Sequence, residues 1–128
     1  MTNIQQNIDA VLQRIAKACN KAQRNPQEVT LLAVTKTVSP ELIKIAVAAG
    51  QRHFGENYVG EGVEKIAQLQ SETKAFGLVW HCIGPVQSNK TRLVAEHFDW
   101  VHSIDRLKIA QRLNDQRPIH AKPLQVCI

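Results

Sequence analysis

The hydrophobic positions of the chain form two patterns, one typical of helices and one typical of strands, which alternate along it. Apolar residues at helical spacing predict an amphipathic helix over 2–23, and a run rich in β-branched residues predicts a buried strand over 29–35. This strand begins the first of four strand–helix units, and a fifth strand follows them. The later predicted strands cover 52–55, 78–83, 100–103 and 124–128, and the helices between them cover 40–49, 57–70, 88–97 and 106–115.

This alternation predicts an α/β fold with a parallel sheet and right-handed crossovers. About 20 to 30 residues per unit fits a (β/α)8 barrel. The predicted fold is therefore the N-terminal part of a TIM barrel with an extra N-terminal helix. An open doubly wound sheet stays as the structural alternative, because periodicity alone does not separate the two.

The chain of 128 residues suits one domain, and its last residue stands in an apolar run. Half a barrel would leave two open sheet edges and an uncovered apolar face. We therefore expect residues 1–128 to be a partial barrel domain whose C-terminal half belongs to a longer protein.

Single residues predict where two of the helices begin and which aromatic side chains are buried. Ser39 is the expected N-cap of the second helix, with Pro40 in its first turn, and Asp105 is the expected cap of the last helix. Trp80 and Trp100 are expected in the core. These assignments follow from residue type and position alone.

Composition narrows the function classes. The net charge of +5 is scattered along the chain and aromatic residues make up only 5%, so nucleic-acid binding is not expected. No apolar run approaches the length of a membrane span. Cys19, Cys82 and Cys127 have no zinc or redox spacing, which predicts no metal site and favours reduced thiols in the cytoplasm.

In parallel α/β proteins, ligands bind at the carboxyl ends of the strands. The residues at or near these ends are Lys36, Glu56, Asn57, His81, Ile83, Gly84 and Ser103. If the barrel prediction is correct, these side chains converge on one rim.

An amine on that rim suits condensation with a carbonyl compound, although a lysine in this position, taken alone, more often simply extends into water. Asn57 would hydrogen-bond a polar group nearby, and Gly84 would let a flat ring approach the backbone. His81 is either a ligand contact or a packed, hydrogen-bonded side chain. For Glu56 we favour a cap on the following helix. No residue is a persuasive catalytic acid or base.

Four motifs in one order resemble the pyridoxal phosphate homeostasis protein family. They are LAVTKT at 32–37, FGENYV at 54–59, WHCIGPVQSNK at 80–90 and VHSID at 101–105. Each motif alone would be weak evidence, but four in sequence are specific. The resemblance covers essentially the whole chain.

The resemblance implies a barrel of the alanine racemase N-terminal type in which Lys36 forms a Schiff base with pyridoxal 5′-phosphate (PLP). It implies that Asn57 and the segment 81–84 lie near the cofactor. The implied role is cytoplasmic storage or delivery of PLP to apo-enzymes, by a monomeric protein at full length, without catalytic turnover. The complete predicted cofactor site is Lys36, Asn57, His81, Ile83, Gly84 and Ser103.

One part of the expected site is missing from this sequence. Barrels usually hold phosphate with loops after strands 7 and 8, which lie beyond residue 128. We therefore expect the segment alone to bind PLP weakly. Two alternatives stay open: a PLP-dependent racemase or lyase, and a non-functional fragment without cooperative unfolding.

Overall fold

The computed structural model describes residues 3–128 and contains a five-stranded parallel sheet. Its strands lie side by side in chain order. A doubly wound sheet would reverse its order partway, whereas a barrel does not. The predicted class, the N-terminal part of a barrel, is confirmed. The strands are β1 (Ala33–Val34), β2 (His53–Glu56), β3 (Val79–Cys82), β4 (Trp100–Val101) and β5 (Gln125–Val126).

Six α-helices accompany the sheet. They are α1 (Ile4–Lys21), α2 (Pro40–Ala48), α3 (Val59–Gln68), α4 (Gln70–Phe76), α5 (Thr91–His97) and α6 (Leu107–Gln116), with short 3-10 helices at Pro26–Glu28 and Ser88–Lys90. Within residues 3–128, none of these helices is both long and apolar enough to cross a membrane.

The single helix predicted over 57–70 is in fact two helices, α3 and α4. They meet at Leu69, whose φ of −107° departs from helical geometry. The Leu69 side chain is fully buried, so the chain bends where it anchors a hydrophobic residue in the core. Apolar spacing across the bend stays nearly helical, which is why the pattern predicts one helix.

The predicted cap of α2 is confirmed and that of α6 is wrong. Ser39 Oγ accepts a hydrogen bond from the Leu42 amide at 3.4 Å, and Pro40 occupies the first turn. At α6, Arg106 holds the N-cap position and no side chain caps the helix. Asp105 precedes this position and is exposed.

The sheet has two faces of different character. Phe54 and Trp80 stand side by side on the face that packs against the helices, with ring centroids 5.4 Å apart, so the prediction of a core Trp80 is confirmed. Trp100 pairs with His81 on the opposite face and is only half-buried. Its prediction as a core residue is therefore wrong.

Two glycines of α3 provide a matched test of this packing. A methyl group on Gly62 would lie 2.8 Å from Cζ of the buried Phe98 ring, whereas one on Gly60 would meet nothing within 4 Å. We expect Gly62→Ala to lower the free energy of unfolding by about 1–3 kcal/mol through overpacking.

The control Gly60→Ala should raise the free energy of unfolding by about 0.5–1 kcal/mol, because alanine favours the helix. Urea unfolding of both variants measures the difference. Equal effects of the two substitutions would contradict the packing of α3 described here.

Candidate functional site

Five of the six predicted site residues follow the strands at the carboxyl edge of the sheet. Lys36 lies two residues after β1, and Asn57 directly follows β2. Ile83 and Gly84 follow β3, and Ser103 comes two residues after β4. Because all neighbouring strands are parallel, these residues share one edge. Their role in cofactor binding stays a prediction.

Lys36 occupies a tight turn at the end of β1. The Val38 amide donates to the Thr35 carbonyl at 3.0 Å, which closes a four-residue turn with Lys36 and Thr37 at its centre. Lys36 is exposed. Thr37 has a φ of +62°, a left-handed conformation that costs a β-branched residue about 1–2 kcal/mol. The surroundings must hold this turn.

A buried ion pair lies next to the turn. Lys65 of α3 donates to Glu56 Oε2 at 3.1 Å and to the Thr35 carbonyl at 2.5 Å. The Thr35 hydroxyl donates to the same Glu56 carboxylate. Glu56 is completely buried and Lys65 is 5% exposed. The end of β1 is thereby tied to both β2 and α3.

Glu61 joins this pair to the far side of the turn. Its Oε1 atom accepts the Thr37 amide at 2.7 Å and Lys65 Nζ at 3.0 Å. These two bonds lower the pKa of Glu61, the amide contributing most. Glu61 is therefore a carboxylate at neutral pH.

Glu56 does not cap the following helix, so that prediction is wrong. Its carboxylate turns into the protein toward Thr35 and Lys65. Burial raises the pKa of Glu56, and the hydrogen bonds from those two residues oppose the rise. Sequence reasoning missed Lys65 altogether, because a lysine on an amphipathic helix is normally solvent-exposed.

Gly84 is required by the backbone that it approaches. A methyl group at this position would lie 2.6 Å from the Asn57 carbonyl oxygen. The loops after β2 and β3 are thus in direct contact. Ile83 lies across Gly55, where an added methyl group would be 3.3 Å from Ile83 Cγ2. This isoleucine provides an apolar surface beside the edge.

His81, the sixth predicted residue, is the centre of a row of three histidines. His53 Nδ1 and His81 Nε2 are 2.9 Å apart, as are His81 Nδ1 and His102 Nε2. Trp100 stacks on the His81 ring with centroids 5.5 Å apart. His81 is 7% exposed, and burial lowers its pKa to about 4, helped by the two neighbouring histidines. It is a packed, hydrogen-bonded side chain.

The chemistry available at the carboxyl edge is that of an accessible amine beside polar and apolar groups. The exposed primary amine of Lys36 is the kind of group that condenses with an aldehyde such as that of PLP. The space beside Gly84 is filled by the Asn57 carbonyl rather than left open for a flat ring. Cys82 is a poor nucleophile, because burial raises its pKa to about 11. Among residues 3–128, no cluster of histidine, cysteine or carboxylate side chains is arranged to hold a metal ion.

Comparison with known proteins identifies relatives of the whole chain. Residues 6–128 match the family described as the alanine racemase N-terminal domain. The chain is 57% identical over all 128 residues to the pyridoxal phosphate homeostasis protein of Escherichia coli K12 and, equally, to that of Vibrio cholerae. It covers 54% of each of these two proteins, so it spans about half the length of the curated relatives it matches.

Solved structures give the same picture. PipY of Synechococcus elongatus PCC7942, in a structure with PLP bound, is 43% identical, with a TM-score of 0.64 over 83% of this chain and 47% of PipY. A crystal structure described as that of an unknown protein from Bifidobacterium adolescentis is 32% identical, with a TM-score of 0.81 over 88% of this chain and 49% of that protein.

The histidine row predicts a stability loss in acid. Because burial holds the pKa of His81 near 4, below the ordinary 6.5, the unfolded chain binds the proton more readily. The stabilisation is complete above about pH 6.5 and is lost as the pH falls toward 4. At pH 5, the free energy of unfolding should be about 2 kcal/mol lower than at neutral pH.

Urea unfolding at pH 7 and pH 5 checks this effect. His81→Gln should lose part of the pH dependence that the unsubstituted chain shows. The control His120→Gln alters an exposed loop residue and should keep that dependence. An unchanged pH dependence in His81→Gln would refute a role for the buried ring.

Proposed function

Because this chain belongs to the alanine racemase N-terminal domain family, we propose that residues 1–128 are the N-terminal half of a (β/α)8 barrel that holds PLP without catalytic turnover. The observation that carries the proposal is the exposed amine of Lys36 on its turn at the carboxyl end of β1. The names of the curated relatives and the PLP-bound PipY structure support it.

Attachment to Lys36 is the proposed mode of binding. The Lys36 nitrogen condenses with the PLP aldehyde carbon, a C=N bond forms and water leaves, giving a Schiff base. This reaction is reversible, so a protein that uses it can release the cofactor intact. A reversible covalent bond suits storage and delivery.

Each of the other five predicted residues would either contact the cofactor or support the parts of the site that do. Asn57 and Ser103 provide polar groups, and Ile83 provides an apolar surface. Gly84 keeps the loops after β2 and β3 close together. His81 supports the sheet face opposite the helices through its contacts with His53 and His102.

The phosphate group needs a further set of donors. Among the six predicted site residues, Lys36 is the only lysine or arginine, and condensation uses its nitrogen. Phosphate sites usually combine several charge-assisted hydrogen bonds. We propose that the remaining length seen in the curated relatives supplies them, and that the chain alone binds PLP weakly.

The proposed role is storage of PLP and its delivery to apo-enzymes in the cytoplasm, by a protein that is monomeric at the length of its relatives. A PLP-dependent racemase or lyase is the second candidate, favoured by the family to which the chain belongs. Conversion of L- to D-amino acids by a preparation of that length would establish the enzyme and refute the carrier.

Borohydride trapping tests the attachment. We expect reduction after incubation with PLP to label Lys36 in preference to exposed lysines such as Lys108, as located by peptide mass spectrometry. Lys36→Ala should lose this label and retain the background. Labels spread evenly over the exposed lysines would contradict a formed site.

Pyridoxal, which lacks the phosphate, provides a matched ligand. The 5′-hydroxyl of pyridoxal closes on its own aldehyde, which lowers labelling of every lysine, so the two ligands are compared by the ratio of label on Lys36 to label on Lys108. If the phosphate donors lie outside this chain, this ratio should be comparable for pyridoxal and PLP. A stable stoichiometric PLP complex of residues 1–128 that survives gel filtration without reduction would overturn the prediction of weak binding.

A further inference from the structure

We propose that Glu61 is a positioning residue for Lys36, acting through its hydrogen bond to the Thr37 amide. This inference rests on the proposed function, because it concerns the amine that would carry PLP. Glu61 acts on the reactive nitrogen only through the backbone. It contacts the backbone of the residue next to Lys36 rather than Lys36 itself.

Both sides of Lys36 are attached to the same charged group of side chains. On one side, the Thr35 carbonyl accepts from Lys65 Nζ at 2.5 Å. On the other side, the Thr37 amide donates to Glu61 Oε1 at 2.7 Å. Lys65 and Glu61 are themselves bonded at 3.0 Å, one helical turn apart on α3. The turn is therefore held at two points by one helix.

The conformation of Thr37 explains why such a hold is needed. Its φ of +62° is unfavourable for a β-branched residue, so the turn would relax if nothing fixed it. The bond to Glu61 is made by the amide of this strained residue. A carboxylate is the strongest acceptor that a side chain offers to a backbone N–H group. The bond therefore counters the strain directly.

Glu61 is also the member of the group that can be altered without losing the fold. Its side chain is 33% exposed, whereas the side chains of Glu56 and Lys65 are buried. Removing either buried partner would leave an unpaired buried charge. Removing Glu61 leaves the Glu56–Lys65 pair intact. Substitutions at Glu61 thus test positioning separately from core stability.

The first measurement is amide hydrogen exchange by NMR, which does not involve PLP. In Glu61→Ala, exchange of the Thr37 amide should speed up about tenfold, because its acceptor is gone. The control Glu64→Ala removes the same charge from an exposed position of α3 and should leave this rate unchanged. Unchanged Thr37 exchange in Glu61→Ala overturns the inference, whatever PLP does.

The second measurement is the ratio of PLP label on Lys36 to that on Lys108 after borohydride reduction. This ratio should fall in Glu61→Ala and stay near its original value in Glu64→Ala. Glu61→Gln retains an oxygen acceptor for the Thr37 amide and should restore both the ratio and the slow exchange. An equal loss in Gln and Ala variants would overturn positioning in favour of a pure charge effect.

The two proposals fail in distinguishable ways. If the unsubstituted chain does not label Lys36 preferentially, the proposed function fails, while Thr37 exchange still decides whether Glu61 holds the turn. If Lys36 is labelled preferentially in the unsubstituted chain and equally well in Glu61→Ala, the proposed function stands and positioning by Glu61 is refuted.

Discussion

The buried ion pair of Glu56 and Lys65 is the interaction on which the carboxyl edge depends. Two charges are removed from water here, and their stability requires that every remaining polar atom find a partner. Thr35 supplies both an acceptor and a donor to the pair. Glu56 lies in β2, Lys65 lies in α3, and Thr35 directly follows β1. A shift of β2 or α3 would therefore leave a buried charge unpaired, and a shift of β1 would remove a polar partner of the pair.

The two faces of the sheet are built on different principles. Toward the helices, Phe54, Trp80 and Val101 bury apolar area. On the other face, the three histidines make directional nitrogen–nitrogen contacts across three neighbouring strands. Each contact needs one donor and one acceptor nitrogen, so the hydrogen positions on the three rings depend on one another. This face specifies its arrangement by hydrogen bonding rather than by volume.

The alternation of strands and helices could be predicted from the sequence because each element is amphipathic on its own. The Ser39 cap could also be predicted, because capping depends on residues that are neighbours in the chain. The bend at Leu69 could not be predicted, because the core that anchors this side chain is assembled from other elements. The cap expected of Asp105 failed for a related reason: residue type indicates that capping is available, not that the local backbone uses it.

In the candidate site, too, the positions of some residues could be predicted from the sequence and those of others could not. Parallel topology was sufficient to place Lys36, Asn57, Ile83, Gly84 and Ser103 at one edge. It was not sufficient for Glu56, since a glutamate after a strand faces either the next helix or the core. The partner that decides this, Lys65, stands nine residues away on α3 and belongs to a pattern typical of solvent-exposed lysines. Only the packing of α3 against β2 shows that the two charges meet.

Lys36 and Lys65 lie close to the same turn but differ in their hydrogen bonds and in their exposure. An ammonium group has three N–H directions. Those of Lys65 point to the Thr35 carbonyl and to the carboxylates of Glu56 and Glu61, so this nitrogen is fully engaged and screened from solvent. Lys36, one residue beyond Thr35, is exposed. In the proposed function, the buried lysine holds the turn through the Thr35 carbonyl and the exposed one condenses with PLP.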